Sequence, residues 1–301
     1  MKKGKGDYIM KKQYCDMTAN ECAKHFIRSR RKLFLVYILA LIAIGAVHIA
    51  ATLYILPLYF GDEDSVRIYE GLSKGQVITT AVLFILCVII AITALIVQRG
   101  SFAGIYLNQC DPEKYIEAEN IVCKKIRFGR RNKRQKCHIA GAYAAFGDYE
   151  GAWNIYRELV PDNIDNCNDV VILSGLASYY HNVKNNEESV RYLSRLEAIK
   201  KSGKKRGSRL NMTIDHIKSV IAIDEKNYDE AKALIDKYID VPTLTGVMKA
   251  VNNYNLGLIA YETGNYVEAV YRFKVAVNIG GKLSFIEDAT EKLAELEKKL
   301  A

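Results

Sequence analysis

The sequence predicts an all-α chain in which two long apolar helices precede a stack of paired amphipathic helices. Three observations predict it. The stretches 33–60 and 77–98 contain no Asp, Glu, Lys or Arg. A spacing of small and bulky residues recurs in the second half of the chain. Only four prolines occur in 301 residues, and nothing in the patterning supplies a basis for a sheet.

Residues 1–32 are basic and polar, with ten Lys/Arg against three acids, and show helical patterning only after Thr18. Cys15, Cys22 and His25 match no standard zinc spacing and lack a fourth ligand. The seven cysteines are odd in number and irregularly spaced, so reduced thiols are expected. Crossing a bilayer takes about 20 predominantly apolar residues, and both charge-free runs qualify. A cleaved signal peptide is the rival for the first, but 32 polar residues precede it and the run is too long. The predicted transmembrane hairpin is therefore 33–98, with spans near 33–60 and 77–98 and an acidic loop at 61–76. Its orientation follows from the flanks: net +7 over 1–32, −2 over 61–76 and +4 over 99–301. Lys and Arg stay on the cytoplasmic side. An integral plasma-membrane protein with both termini inside and the loop outside is expected. His48, inside the first span, is either a proton or metal site or a neutral imidazole bonded to the neighbouring helix. With no acid or second histidine in either span, the second reading is favoured.

After the second span, 99–110 reads as a short juxtamembrane joint with two glycines. Asp111-Pro112 then signals a helix start, Asp as N-cap and Pro at the first helical position. The run 124–136 carries eight Lys/Arg and no acid. Nucleic-acid binding is one reading of such a run. Contact with anionic lipid is simpler, because the run is close in sequence to the membrane and each basic residue there contributes about 1 kcal/mol. Lys124, Lys125, Arg127, Arg130, Arg131 and Lys133 are the candidate membrane-surface patch; a solvated loop is the alternative. A second basic stretch, 200–209, has the Gly and Ser content of an exposed loop.

The region 111–301 carries the repeat. Small residues stand at Ala152, Ser189, Ala231 and Ala269, at intervals of 37, 42 and 38 residues. Another small residue lies twelve positions before each, at Ala140, Ala177, Ser219 and Gly257. Bulky residues mostly follow at four and seven positions, as in Tyr156 and Leu159 or Leu193 and Leu196. Tyr115, Ala118 and Val122 suggest a preceding half copy, with Ala118 as its marker. Small residues let two helices cross closely, and bulky ones fill the space beside them. The predicted pairs are 133–146 with 149–159, 169–182 with 186–200, 210–224 with 228–239, and 247–262 with 266–279. The last stretch, from Leu283, suits a helix that covers the final apolar face.

With Leu256-Gly257, Gly264-Asn265-Tyr266, Ala269, Phe273 and Ala276, the chain resembles the tetratricopeptide repeat (TPR) family, whose unit is a helix-turn-helix of about 34 residues. Lys184 and Lys226 replace the turn glycine in the second and third copies, and the family's early aromatic is missing. The resemblance implies a right-handed TPR-like α-solenoid of about four helix pairs with a C-terminal capping helix. It also implies a concave groove for a protein or peptide partner, lined by the first helices. Carried over position by position, that groove holds Arg134, Cys137 and Gly141; Ser174, Ser178 and His181; Thr213, His216 and Val220; and Tyr254, Leu258 and Tyr261. Apart from Arg134 this set lacks the cations with which chaperone-binding members hold a peptide terminus. His181 and His216 would form a pH- or metal-sensitive pair if they faced each other. No catalytic motif is present, and Cys137-His138 are neighbours that project to different helix sides. No cofactor and no resident metal are expected. The expected function is a membrane-tethered scaffold. The alternatives are an accessory subunit of a larger membrane complex, acting through the hairpin, or a peptide-responsive regulator. The compact, short-looped style looks bacterial.

Overall fold

The computed structural model describes residues 14–125, 133–203 and 207–300. Among them are twelve α-helices, two short 3-10 turns and no strand. Contacts divide the chain into two compact units, Glu21–Phe102, and Met1–Asn20 together with Ala103–Ala301.

The first unit is built on α1 (Ala19–Ile55) and α2 (Glu63–Leu107), with 37 and 45 residues. At 1.5 Å per residue they are roughly 55 and 68 Å long, against about 30 Å of bilayer hydrocarbon. Both are long and apolar enough to cross a membrane, with best-window mean hydropathies of 2.6 and 3.1. Along the apolar runs most large side chains point outward, Tyr54 86% exposed and Ile90 68%, whereas Phe26 and Phe102 are buried. Two expected connectors are helical instead. Most of 61–76 belongs to α2, which starts behind Asp62, whose carboxylate accepts the Ser65 N–H at 2.9 Å. Glu63 and Asp64 stand in the first turn, where acids meet the positive end of the helix dipole. The expected joint 99–110 is helix as far as Leu107, so Gly100 and Gly104 do not break it.

The second unit contains α3 (Pro112–Lys125), α4 (Lys133–Phe146), α5 (Tyr149–Tyr156), α6 (Val170–Asn182), α7 (Asn186–Lys201), α8 (Ser208–Asp224), α9 (Tyr228–Asp236), α10 (Gly246–Glu262), α11 (Tyr266–Gly280) and α12 (Ile286–Leu300). One turn recurs through it. Cys110, Gly147, Lys184, Lys226 and Gly264 all have positive φ, between 54° and 94°. Each is followed by Asp or Asn (Asp111, Asp148, Asn185, Asn227, Asn265). That side chain accepts the backbone N–H three residues on, at 2.7–3.4 Å. The backbone N–H of the last four returns to the carbonyl five residues earlier, at 2.8–2.9 Å. Each turn thus closes one helix with a left-handed residue and opens the next with a side-chain cap.

The turn at Cys110 corrects the reading of the half copy. It puts the marker at Tyr115, not Ala118, and makes the copy a full pair whose first helix is the end of α2. Ala103 then takes the small position, and Tyr115 and Ala103 are 1% and 5% exposed. The interval to Ala152 becomes 37 residues.

Packing follows the spacing. Ala152, Ser189, Ala231 and Ala269 are fully buried, as are Ala140, Ala177 and Ser219. A Cβ on Gly257 would lie 2.7 Å from the Phe273 ring, so only glycine lets α10 and α11 approach this closely. From α4 on, each first helix packs on its partner, and successive first helices also meet: α4 with α6, α6 with α8, α8 with α10. At the C-terminal end, Ala289 and Leu296 of α12 complete a cluster with Ala260, Ala269 and Phe273. At the other end Tyr14 is 2% exposed, and the Lys114 ammonium donates to the Tyr14 carbonyl at 3.0 Å.

The last pair also touches the first two. The Lys282 N–H donates to the Cys110 carbonyl and the Ser284 N–H to the Ala145 carbonyl, both at 2.9 Å. Cys110, Ala250 and Leu283 form a small apolar cluster beneath these bonds.

Candidate functional site

The groove expected from the resemblance rests on the first helices, and the structure distributes its residues unevenly. Arg134 is exposed near the start of α4. Ser174 and Ser178 are half-buried on α6, and the Ser174 hydroxyl donates to the Val171 carbonyl of its own helix at 3.1 Å. Thr213 and Val220 are half-buried on α8.

Other members of the set do not face an open groove. Cys137 is 5% exposed, and burial, with the Asp169 charge behind it, pushes its thiol up to about 12. The Gly141 carbonyl accepts the Tyr106 hydroxyl at 3.2 Å. The Tyr254 hydroxyl donates to Asp288 at 2.7 Å and the Tyr261 hydroxyl to Glu295 at 2.9 Å. Tyr254 also stacks on Phe285, with ring centroids 4.7 Å apart. Leu258 packs beside them against the same cluster. The physical reason is that first helices lie side by side, so positions aimed at a groove also reach the next first helix. At the last pair α12 stands in that place and takes both tyrosines. Burial, then Asp288, raises the Tyr254 phenol above its ordinary range.

His181 and His216 come close enough to affect each other. Burial first, and then the His181 charge, lowers the His216 pKa to about 4. Burial also lowers that of His181, while Asp224, 3.7 Å from its Nδ1, pulls the other way. Lys184 reaches the same carboxylate at 3.4 Å. Among the described residues the Nδ1 atoms of His181 and His216 have no hydrogen-bond partner. Beside His216 lies a cavity of about 10 Å³ between α8, α9 and α10, lined in part by Ser219, Tyr238 and Asn252. That is scarcely one water position. The arrangement favours neutral imidazoles. Among the described residues no group of three or more His, Cys, Asp or Glu is placed to hold a metal ion.

Lys124 and Lys125 are exposed at the end of α3, and Lys133 at the start of α4. Arg127, Arg130 and Arg131 lie outside the described residues. In the hairpin unit, the His48 Nδ1 meets the Thr80 hydroxyl at 2.9 Å, and the Gln76 amide donates to the His48 carbonyl at 2.6 Å and to Thr52 at 2.8 Å. His48 therefore bonds to the neighbouring helix.

Sequence reasoning missed Asp224, Asp288, Glu295 and Gln76. The two acids that hold the tyrosines each lie 34 residues after them, and this equal spacing is their only common mark in the sequence. No family model, curated protein or solved structure matches the chain.

Proposed function

We propose that this chain is a membrane-anchored scaffold. In this reading α1 and α2 cross the plasma membrane as a hairpin, and the helix pairs form a TPR-like α-solenoid on the cytoplasmic side that holds a protein or peptide partner. The observation that carries the reading is the turn repeated at Cys110, Gly147, Lys184, Lys226 and Gly264. Five helix pairs built on one turn, each packed on the next, are what a stacking repeat requires.

The orientation rests on charge: +7 before the first apolar run, −2 between the runs and +4 after the second. The basic residues around 124–134 then lie just after the second span in sequence and suit anionic lipid. The partner surface in this reading is the stretch of first helices around Arg134, Ser174, Ser178 and Thr213. Holding a partner at the membrane raises its effective concentration without chemistry.

The test is cross-linking capture from native membranes with the full chain, beside Ser178→Arg and Arg134→Glu. Loss of one soluble partner in both variants, with the helical signal unchanged, supports the groove. Capture of membrane proteins that both variants retain would move the interaction to the hairpin and sink the groove reading. Labelling of single cysteines placed at Ser65 and Ser194 from outside intact cells checks the orientation. Only the first should react.

A further inference from the structure

The contact between the last helix pair and the first two differs from every other contact in the repeat unit. Within the pairs, helices meet through buried side chains, small ones at the crossings and bulky ones beside them. Here the turn from Gly280 to Phe285 lies against the turns at Asn108–Glu113 and Ala145–Gly147. Two backbone hydrogen bonds, Lys282 to Cys110 and Ser284 to Ala145, hold it. The Lys282 ammonium sits between Glu113 at 2.6 Å and Asp111 at 3.8 Å, and its side chain is half exposed. Exposed ion pairs contribute little to stability. The apolar part is the cluster of Cys110, Ala250 and Leu283, with Tyr106, Val247, Ile279, Phe285 and Ile286 packed against it. Alongside opens a cleft of about 630 Å³ bordered by Phe146, Ile286 and Ala294, which leaves Phe146 41% exposed. The seam is therefore edged by an exposed ion pair and open on one side, where a contact begins to open.

Two glycines make it possible. A Cβ on Gly246 would lie 2.5 Å from the Asn108 carbonyl oxygen, and one on Gly281 2.6 Å from that of Cys110. Both obstacles are backbone and cannot rotate away.

We propose that this seam is a latch. Closed, it ties the end of the array to its beginning and fixes the curvature of the face formed by α4, α6, α8 and α10. Open, it frees the last pair, so that a partner too large for the closed curvature can lie along that face. The use of the latch rests on the scaffold reading; its opening does not, and can be measured with no partner present.

The experiment is hydrogen exchange of the full chain in detergent micelles, for the unaltered protein, Gly246→Ala, Lys282→Glu and the exchange pair Lys282→Glu with Glu113→Lys. Gly246→Ala is the discriminating variant, because alanine is the better helix former and disturbs only the seam. The expected result is at least tenfold faster exchange of the Lys282 and Ser284 amides in Gly246→Ala and Lys282→Glu. The interior amides of α6 and α8 should be unchanged, and the exchange pair should recover protection. The proposal is overturned if those two amides exchange at the unaltered rate in both single variants. It is equally overturned if α6 and α8 lose protection in step with them, since the seam is then part of one cooperative core.

Discussion

In the apolar runs of the Glu21–Phe102 unit most large side chains point outward and the polar ones meet inside, His48 with Gln76 and Thr80, although Phe26 and Phe102 at its ends are buried. In the repeat unit the order is reversed: Phe273, Leu196 and Tyr115 are buried, and lysines and glutamates cover the outside. Phe84 is 50% exposed on α2, whereas Phe273 is fully buried on α11. The same residue type thus does opposite things, and the lesson is that charge spacing, more than apolar content, separates the two units. Where charges recur every three or four residues a helix has a dry and a wet face. Where they are absent for over twenty residues it has only one kind of face, suited to a solvent that is not water.

The sharpest way to break this comparison is to truncate one phenylalanine in each unit. Phe273→Ala should cost about 3–5 kcal/mol, because it leaves a cavity under Gly257. Phe84→Ala should cost less than about 1 kcal/mol, because lipid or detergent fills the space. Exchange of the slowest amides of each unit, in the full chain in micelles, reads both. An equal loss in the two units would mean that Phe84 is packed in a core.

Next in size is an acid response confined to the repeat unit. The His216 pKa is lowered to about 4 from 6.5, so its contribution to stability is complete above pH 6.5 and is lost as pH falls toward 4. The loss from His216 should reach about 3 kcal/mol, and His181, whose pKa burial also lowers against the pull of Asp224, adds to it. Urea unfolding followed between pH 7 and 4 should show this slope, and His216→Asn should flatten it.

A smaller effect belongs to the hairpin. Gln76→Leu removes the donor to the His48 carbonyl and Thr52 and should weaken helix association by about 1 kcal/mol. Cysteine cross-linking between α1 and α2 would slow accordingly; an unchanged rate would make the polar cluster incidental. The smallest change is a gain. Lys226 has φ of 61°, a region that costs a non-glycine residue about 1 kcal/mol. Lys226→Gly should raise the thermal midpoint slightly, and Gly264→Lys should lower it by a similar amount.

Much of the helical architecture was legible because local spacing determines it. The two apolar runs and the small residues at 140, 152, 177 and 189 mark helices and their crossings without reference to anything distant. The first pair was misread by three residues because its opening helix is continuous with α2, so hydropathy hides Ala103 and Cys110 stands where glycine would mark the turn. The candidate surface was less legible. Tyr254 and Tyr261 have the right spacing for a groove, but whether a groove stays open depends on what lies next to it. Nothing within α10 announces Asp288 and Glu295. Nor does anything near Cys110 announce Lys282, since that contact is made by backbone groups and glycines that any turn contains.

The seam has a consequence in time. Glu113 and Lys282 are 169 residues apart, whereas each helix pair is closed by a turn of a few residues. Short loops close first and long ones last. At a synthesis rate of about 5–20 residues per second, roughly 8 to 34 seconds separate the appearance of the two partners. For most of that interval Cys110 and the Ala145 carbonyl await the segment that will cover them. The newborn chain therefore passes through an open-ended form, with its helices made as far as α11 and available to whatever reaches those turns before Leu283 does.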